Sequence, residues 1–330
     1  MLKRIVTLAL LIGLPAIYVA QGFYSRNNWK NRKHEFALGG GVSNALTDLG
    51  GGAGVGRDLT PLDLDFPATS YAFTLEYSYA IARKWNIRVN AIYGQVEGDD
   101  RYTTSYRSIR GINFRSPIAE LSTVFIHHFS KERIGHLYSL RNTRGTKLGV
   151  KPLHLGWYVF GGVGGFYYNP IGEARYYNPW GVKGEYNLRG LKTEGQSSQY
   201  SVASVCMPVG VGARHSINGS TGVKIEFGYR FTFTDYLDDT STKFPVESEI
   251  LANSGSAAAY FAQPTAYASI GGVADPSAYL DGVRGNSRNF KERDGYMFLM
   301  LTFYFNRDPR HWFDDARRSA IKVRRPKASF

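Results

Sequence analysis

Six charged residues fall at alternate positions of otherwise apolar or aromatic stretches, where they would point to one side of a sheet. They are Glu76, Arg88, Glu120, Lys224, Glu226 and Arg230. Isolated buried charges are very costly, but three acids and three bases that share a narrow space can pair with one another. The pattern therefore predicts a packed, salt-bridged interior rather than a conducting pore.

Two glycine clusters and a histidine pair are weaker candidates for chemistry. The clusters at 50–56 and 161–165 lack the G-x-G-x-x-G spacing of a nucleotide-binding turn, and the chain contains no Gly-Lys-Ser/Thr. His127 and His128 are adjacent on a predicted strand, so their side chains should point to opposite faces and not chelate one metal together. These features predict no nucleotide site and no histidine metal site.

Three aspartates and the single cysteine complete the set of candidates. Asp235, Asp238 and Asp239 could hold Ca²⁺ in an external loop, although solvation or capping of that loop is the favoured interpretation. Cys206 excludes an internal disulfide and is expected to be a small wall residue of a strand. No nucleophile, base and orienting acid recur at a suitable spacing. We therefore expect a protein that is not an enzyme and that uses no cofactor or metal.

The stretch 223–234 indicates which element positions the charged residues. Its apolar and aromatic residues alternate strictly with polar ones for twelve residues, with Lys224, Glu226 and Arg230 on the polar face. A period of two is that of a β-strand. About ten alternating residues, apolar outward and polar inward, are typical of a strand that crosses an outer membrane in a closed barrel.

Seven further stretches show a similar alternation. They are 34–44, 69–79, 85–96, 117–129, 155–168, 200–215 and 295–305. The connections near 80–84 and 216–221 are short, whereas 45–68, 97–116, 169–199 and 235–294 are long and would lie at the other end; only 130–154 breaks this rule. The prediction is an all-β protein, an eight-stranded antiparallel transmembrane β-barrel over 34–305 with long extracellular loops and a filled lumen.

The N-terminus indicates export. Lys3 and Arg4 precede an apolar run, and cleavage is plausible after Ala20, which makes 1–20 a predicted signal peptide. An uncleaved anchor helix is the alternative. We expect Sec-type export to the outer membrane of a Gram-negative bacterium, with a basic periplasmic segment at 21–33.

Positive charge is concentrated on the predicted periplasmic side. The formal net charge is +13, and three segments, 21–33, 130–154 and 306–330, carry about +4, +5 and +5. Acidic periplasmic proteins or anionic lipid are the expected partners, beside outer-membrane lipid itself, and nucleic acid is not. A solvated basic fringe is the alternative. In the predicted periplasmic tail 306–330, the candidate docking residues are Arg310, Trp312, Phe313, Arg317, Arg318, Ile321, Arg324 and Arg325.

The sequence Arg-Phe-Thr-Phe-Thr-Asp-Tyr-Leu-Asp-Asp at 230–239, followed by Thr240 and Ser241, resembles the signature of the PorG-type barrels of the type IX secretion system. Further stretches resemble the same family in order. They are 34–44 with 48–51, 113–116 with Glu120 and Leu121, 164–170, and 193–196. The resemblance implies a barrel that ties a periplasmic ring of lipoprotein and partner subunits to the outer membrane during secretion. A passive barrel for envelope integrity or surface adhesion is the alternative function.

Overall fold

Eight long antiparallel strands form the body of the protein. A computed structural model describes residues 33–47, 49, 67–102, 111–130, 155–176, 178–217, 220–241, 247–262, 264 and 293–306. The long strands in these ranges are β1 (His34–Leu46), β2 (Ser70–Ala82), β3 (Trp85–Asp99), β4 (Asn113–His128), β5 (Gly156–Tyr168), β8 (Ala203–Ser216), β9 (Thr221–Thr232) and β10 (Gly295–Asn306). Two short strands, β6 (Ile171–Ala174) and β7 (Gly184–Asn187), lie between β5 and β8.

The sheet closes on itself. The long strands pair in the order β1, β2, β3, β4, β5, β8, β9, β10, and β10 pairs again with β1. Every pair in the ring is antiparallel, for example Phe36 opposite Phe305 and Trp85 opposite His127. Closure leaves no unpaired edge in the wall. The eight-stranded antiparallel barrel predicted from the sequence is thereby confirmed.

The alternation along each strand separates an apolar exterior from a polar interior. On β2, the outward Leu75 is 63% exposed and the adjacent inward Glu76 is 4% exposed. The same contrast holds on β9, where Ile225 and Phe231 are exposed while Glu226 and Arg230 are buried. An exposed apolar belt around a closed barrel is the surface that lipid requires.

Several strand boundaries differ from the prediction. β9 spans Thr221–Thr232 rather than 223–234, and β4 begins at Asn113 rather than at 117. β3 continues to Asp99, so that Glu97 lies opposite Arg115. The alternation of polarity fades in these extensions because polar residues occupy both faces, and only the backbone pairing shows that the strands continue.

The two ends of the barrel differ. Residues 83–84 make a tight turn at one end, which we call the inner end, and β1 begins and β10 ends there. β8 ends and β9 begins at the same end, where the backbone N–H of Ile217 donates to the carbonyl of Thr221 at 3.0 Å. The connections β1–β2, β3–β4, β5–β8 and β9–β10 lie at the outer end. Predictions for 1–20, for most of 21–33, for nearly all of 130–154 and for the tail after Asn306 lie outside the described residues, as do Asn218 and Gly219.

The outer connections carry secondary structure where the sequence predicted loops. β6 and β7 form a hairpin, followed by the short helix α1 (Leu188–Leu191). Helix α2 (Glu247–Ala262), which is kinked at Gly255 with φ of 87°, lies within the predicted loop 235–294. A single-turn 3₁₀ helix follows β3. The Ser, Ala and Gly content of α2 obscured it in the sequence. None of the described helices is both long and apolar enough to cross a membrane.

Candidate functional site

The inner half of the lumen contains a chain of ion pairs. Lys224 Nζ donates to Glu76 Oε2 at 2.5 Å and to Glu35 Oε1 at 3.2 Å. Arg88 binds Glu226 with both terminal nitrogens, Nη2 lying 2.9 Å from Oε2, and its Nη1 also lies 3.4 Å from Glu76 Oε2. All five side chains are buried. Each charge therefore has a partner of opposite sign, as burial in a low-dielectric interior requires.

Two charged residues of this ion-pair network, Glu35 and Arg214, were not among the predicted lumen charges. Glu35 accepts from Lys224 and also from Arg214 Nη2 at 2.9 Å, and the Arg214 guanidinium lies 4.1 Å from the centre of the Tyr304 ring. The Tyr158 hydroxyl adds a neutral donor to Glu226. Glu35 and Arg214 occupy inward positions in the alternation of their own strands. The alternation that places both residues inward can be read directly from the sequence.

The other two predicted charges form a separate group nearer the outer end. Arg230 Nε donates to Glu120 Oε2 at 3.1 Å, and the Tyr296 hydroxyl donates to the same oxygen at 3.1 Å. The Arg230 guanidinium lies 4.5 Å from the centre of the Phe298 ring, a favourable cation–π distance. The structure thus divides the six predicted residues into a group of four and a pair.

Apolar side chains fill the space between the two groups. Phe160, Phe298 and Met300 help to enclose a cavity of about 10 Å³, beside Arg88 and Arg230. That volume is about what one water molecule needs. The cross-section is filled at this level, as expected for a barrel of eight strands.

A compact cap covers the outer end, and part of it is the segment 235–241, which we call the acidic strap. Asp239 adopts a left-handed backbone conformation, with φ of 64°. Its carboxylate accepts from Thr193 Oγ1 at 2.5 Å and from the Tyr200 hydroxyl at 2.7 Å. The backbone N–H of Ser241 donates to Glu194 Oε1 at 2.9 Å. These bonds fix the strap to the segment that precedes β8.

The acidic strap had suggested a calcium site as an alternative. Asp235 accepts from the Ser241 hydroxyl at 2.5 Å, and Asp238 accepts from the backbone N–H of Thr240 at 2.9 Å. Together with the bonds to Asp239, these contacts give each of the three aspartates a donor within the protein. No group of three or more metal-binding side chains suited to one ion occurs among the described residues. In the described structure the three carboxylates act as hydrogen-bond acceptors within the cap.

Helix α2 joins the hairpin to the barrel core. Tyr260 and Phe261 are buried together with Leu188 of α1 and Phe298 of the barrel wall. The Tyr260 hydroxyl accepts from the backbone N–H groups of Arg175 at 3.1 Å and of Tyr176 at 3.0 Å. Burial raises the pKa of the Tyr260 hydroxyl above its ordinary value.

Replacing Asp239 with alanine should loosen the cap and leave the barrel closed. The variant loses two hydrogen bonds to a charged acceptor, each worth about 1.5–3 kcal/mol, and places alanine in a left-handed conformation that asparagine and aspartate tolerate better. We expect faster hydrogen exchange and proteolysis in 193–200. Asp239→Asn is the matched control, because it retains one acceptor oxygen and the tolerance of positive φ. Equal protection in both variants would contradict a bracing role for the carboxylate.

The remaining sequence candidates are the two histidines and Cys206. His128 points inward, with its ring 5.3 Å from that of Tyr158, whereas His127 points outward, with its ring 4.3 Å from that of Trp85. The expected separation of the two histidines onto opposite faces is what the structure shows. Cys206 is fully buried in the outer half of the lumen.

Comparisons with known proteins return small bacterial barrels. No protein-family model and no curated protein matches the sequence. Among solved structures, Ail of Yersinia pestis has 8% identity and a TM-score of 0.32, covering 83% of this chain and 99% of its own. Neisserial surface protein A has 8% identity and a TM-score of 0.32, and the match covers 82% of this chain and 95% of that protein. OprG of Pseudomonas aeruginosa has 10% identity and a TM-score of 0.31, and the match covers 84% of this chain and 97% of that protein. We base no functional argument on likenesses of this degree.

Proposed function

We propose that this protein is a non-enzymatic outer-membrane barrel of a type IX protein secretion machinery, where it links periplasmic ring subunits to the membrane. The exposed apolar belt supports a position in the outer membrane. The charged side chains in the lumen bind one another, which favours a structural role for the interior. The secretion role depends on the sequence resemblance and on the observation that follows.

The observation that carries the proposal is that residues of four separate family-like stretches bind one another. The stretches 113–121, 164–170, 193–196 and 230–241 are far apart in the sequence, yet they meet in the outer half of the barrel and in the cap. Direct bonds join Glu120 with Arg230, Ser116 with Asn169, Thr193 with Asp239, and Glu194 with Ser241. Short motifs that matched the family by chance would not be expected to form one network of hydrogen bonds and ion pairs.

The inner end supports the proposed docking role. β1 and β10 are neighbours, with Glu35 opposite Asn306, so the basic segments 21–33 and 306–330 join the barrel at adjacent strands. Two basic segments that start side by side would present one positively charged surface to a periplasmic partner. The tail residues predicted to dock, from Arg310 to Arg325, stay a prediction.

Cross-linking in intact cells tests this proposal. A tagged full-length chain should recover a periplasmic ring lipoprotein, and the double variant Trp312→Ala/Phe313→Ala should lose it because a docking helix would lack its aromatic anchors. Neutralising Arg317, Arg318, Arg324 and Arg325 to glutamine should weaken recovery further. As a control for the loss of positive charge, Arg101 and Arg115 at the outer end are replaced with glutamine, and recovery of the ring lipoprotein should not change. Loss of secreted cargo should accompany loss of the ring subunit. Recovery of the same proteins from all variants would contradict docking by the tail.

A second function has its own supporting observation. The outer connections fold into a cap with the hairpin β6–β7, α1 and α2, which gives the external face a fixed shape. A fixed external surface favours adhesion or an envelope role through the loops. Normal secretion in a deletion strain, together with altered surface binding, would support this function over the first.

A further inference from the structure

The inner rim carries a cluster of exposed or partly exposed cations on neighbouring strands. Lys33 precedes β1, and its carbonyl accepts from the backbone N–H of Ala80 at 2.8 Å. Arg83 and Lys84 form the β2–β3 turn, and the Lys84 carbonyl accepts from the backbone N–H of His128 at 2.9 Å. The strand pairing therefore brings the three cations together. We call Lys33, Arg83 and Lys84 the inner-rim patch.

The described surface around this patch holds no exposed carboxylate. Among the described residues of the inner rim, the one acid is Glu35, which points into the lumen and is bound there by Lys224 and Arg214. Within the same described ranges, no salt bridge involves a member of the inner-rim patch. Lys33 Nζ instead lies 5.9 Å from the centre of the Tyr79 ring. The patch is therefore positively charged and available to an anion.

Large apolar side chains place the patch at a membrane–water boundary. Ile81, Trp85 and Phe129 are each about half exposed on the outer wall, beside the turn that carries Arg83 and Lys84. Tryptophan and tyrosine are enriched where a membrane meets water. The cations thus lie at the level of lipid headgroups, with acyl chains on the wall next to them.

The outer end has a different charge pattern. There, Arg115 Nη2 lies 2.5 Å from Glu185 Oε2, and Arg175 pairs with Glu173 at 2.6 Å and with Asp99. Arg101 likewise pairs with Asp99 at 2.8 Å, so three arginines at that end have acidic partners within the protein. The three cations of the inner-rim patch, in contrast, have no carboxylate beside them among the described residues of the inner rim.

We propose that the inner-rim patch binds the phosphate of an anionic phospholipid in the leaflet that faces the inner end. Lys33, Arg83 and Lys84 would hold the headgroup, and Ile81 and Trp85 would contact its acyl chains. A lipid fits better than an acidic protein, because the cations are continuous with an apolar wall that already requires lipid. The inference rests on the proposed membrane location and not on the secretion role.

Lipid retention tests the proposal directly. The full-length protein is reconstituted in nanodiscs of phosphatidylcholine and phosphatidylglycerol, extracted in mild detergent, and examined for bound lipid by native mass spectrometry. Wild type should retain phosphatidylglycerol in excess of its mole fraction. Lys33→Gln/Arg83→Gln/Lys84→Gln should reduce this enrichment by about fivefold for each cation removed. Heat-modified mobility on gels establishes that the variant is folded.

Two controls separate a specific site from general attraction by charge. Arg101→Gln/Arg115→Gln/Lys183→Gln removes the same charge from the outer end and should keep the enrichment. Arg83→Lys/Lys84→Arg retains the charge at the rim and should keep it as well. Enrichment unchanged in the inner-rim variant, or equally reduced in the outer-end control, would overturn the proposal. Neither result depends on ring binding or cargo secretion, so the secretion proposal would fail separately.

Discussion

Replacing Arg88 with leucine is expected to destabilise the folded barrel by about 3–5 kcal/mol. Arg88 is the most deeply buried of the lumen charges, at 1% exposure, and it binds both Glu226 and Glu76. Its loss would leave the Glu226 carboxylate with the Tyr158 hydroxyl as its one donor among the described residues, while Glu76 would keep Lys224. An uncompensated buried charge is among the largest single destabilising effects. Urea unfolding in detergent micelles, followed by tryptophan fluorescence, measures the change.

The matched control for this variant is Arg115→Leu. Arg115 also forms a close ion pair, with Glu185, but its side chain is 44% exposed. Removing an exposed pair should cost about 0–1 kcal/mol. A double variant, Arg88→Leu/Glu226→Leu, should regain part of the stability because it removes the unpaired carboxylate. Equal losses for Arg88→Leu and Arg115→Leu would show that the lumen network contributes little to stability.

Replacing Gly162 with alanine is expected to cost about 3 kcal/mol or more, at the upper end of overpacking effects. Gly162 faces the lumen on β5 opposite Val124 of β4. An added Cβ would lie 2.0 Å from the carbonyl oxygen of Thr123 and 2.7 Å from the Cα of Val124. Both are backbone atoms of the adjacent strand, so the strands would have to separate or distort. We expect a lower urea midpoint and a smaller folded fraction after refolding into vesicles.

The neighbouring glycine is the natural control. Gly161 lies on the outward face of the same strand, and a Cβ there would meet Val209 Cγ1 at 3.8 Å, an ordinary contact. Gly161→Ala should therefore leave stability unchanged or raise it slightly, since alanine loses less backbone entropy on folding. A similar loss in both variants would show that flexibility of the strand, and not close packing, requires these glycines.

The sequence determined the class of fold and the side on which each charge lies. A period of two assigns alternate residues to opposite faces without reference to any other part of the chain. For that reason the strand 223–234 could predict that Lys224, Glu226 and Arg230 point inward before any partner was known. The same local reasoning applied to Glu35 and Arg214, although the sequence prediction did not include them among the charged residues of the lumen.

Tertiary structure decided which charges meet and what covers the barrel. The stagger of the strands places Lys224 between Glu35 and Glu76 and separates the Glu120–Arg230 pair from them. Stagger depends on backbone pairing between distant strands, which local periodicity does not encode. The cap was hidden for a related reason. The buried residues of α2 lie on both sides of its kink at Gly255, with Ile250 before it and Tyr260 and Phe261 after it. Burial against the rest of the fold therefore stabilises a helix that its own sequence only weakly specifies.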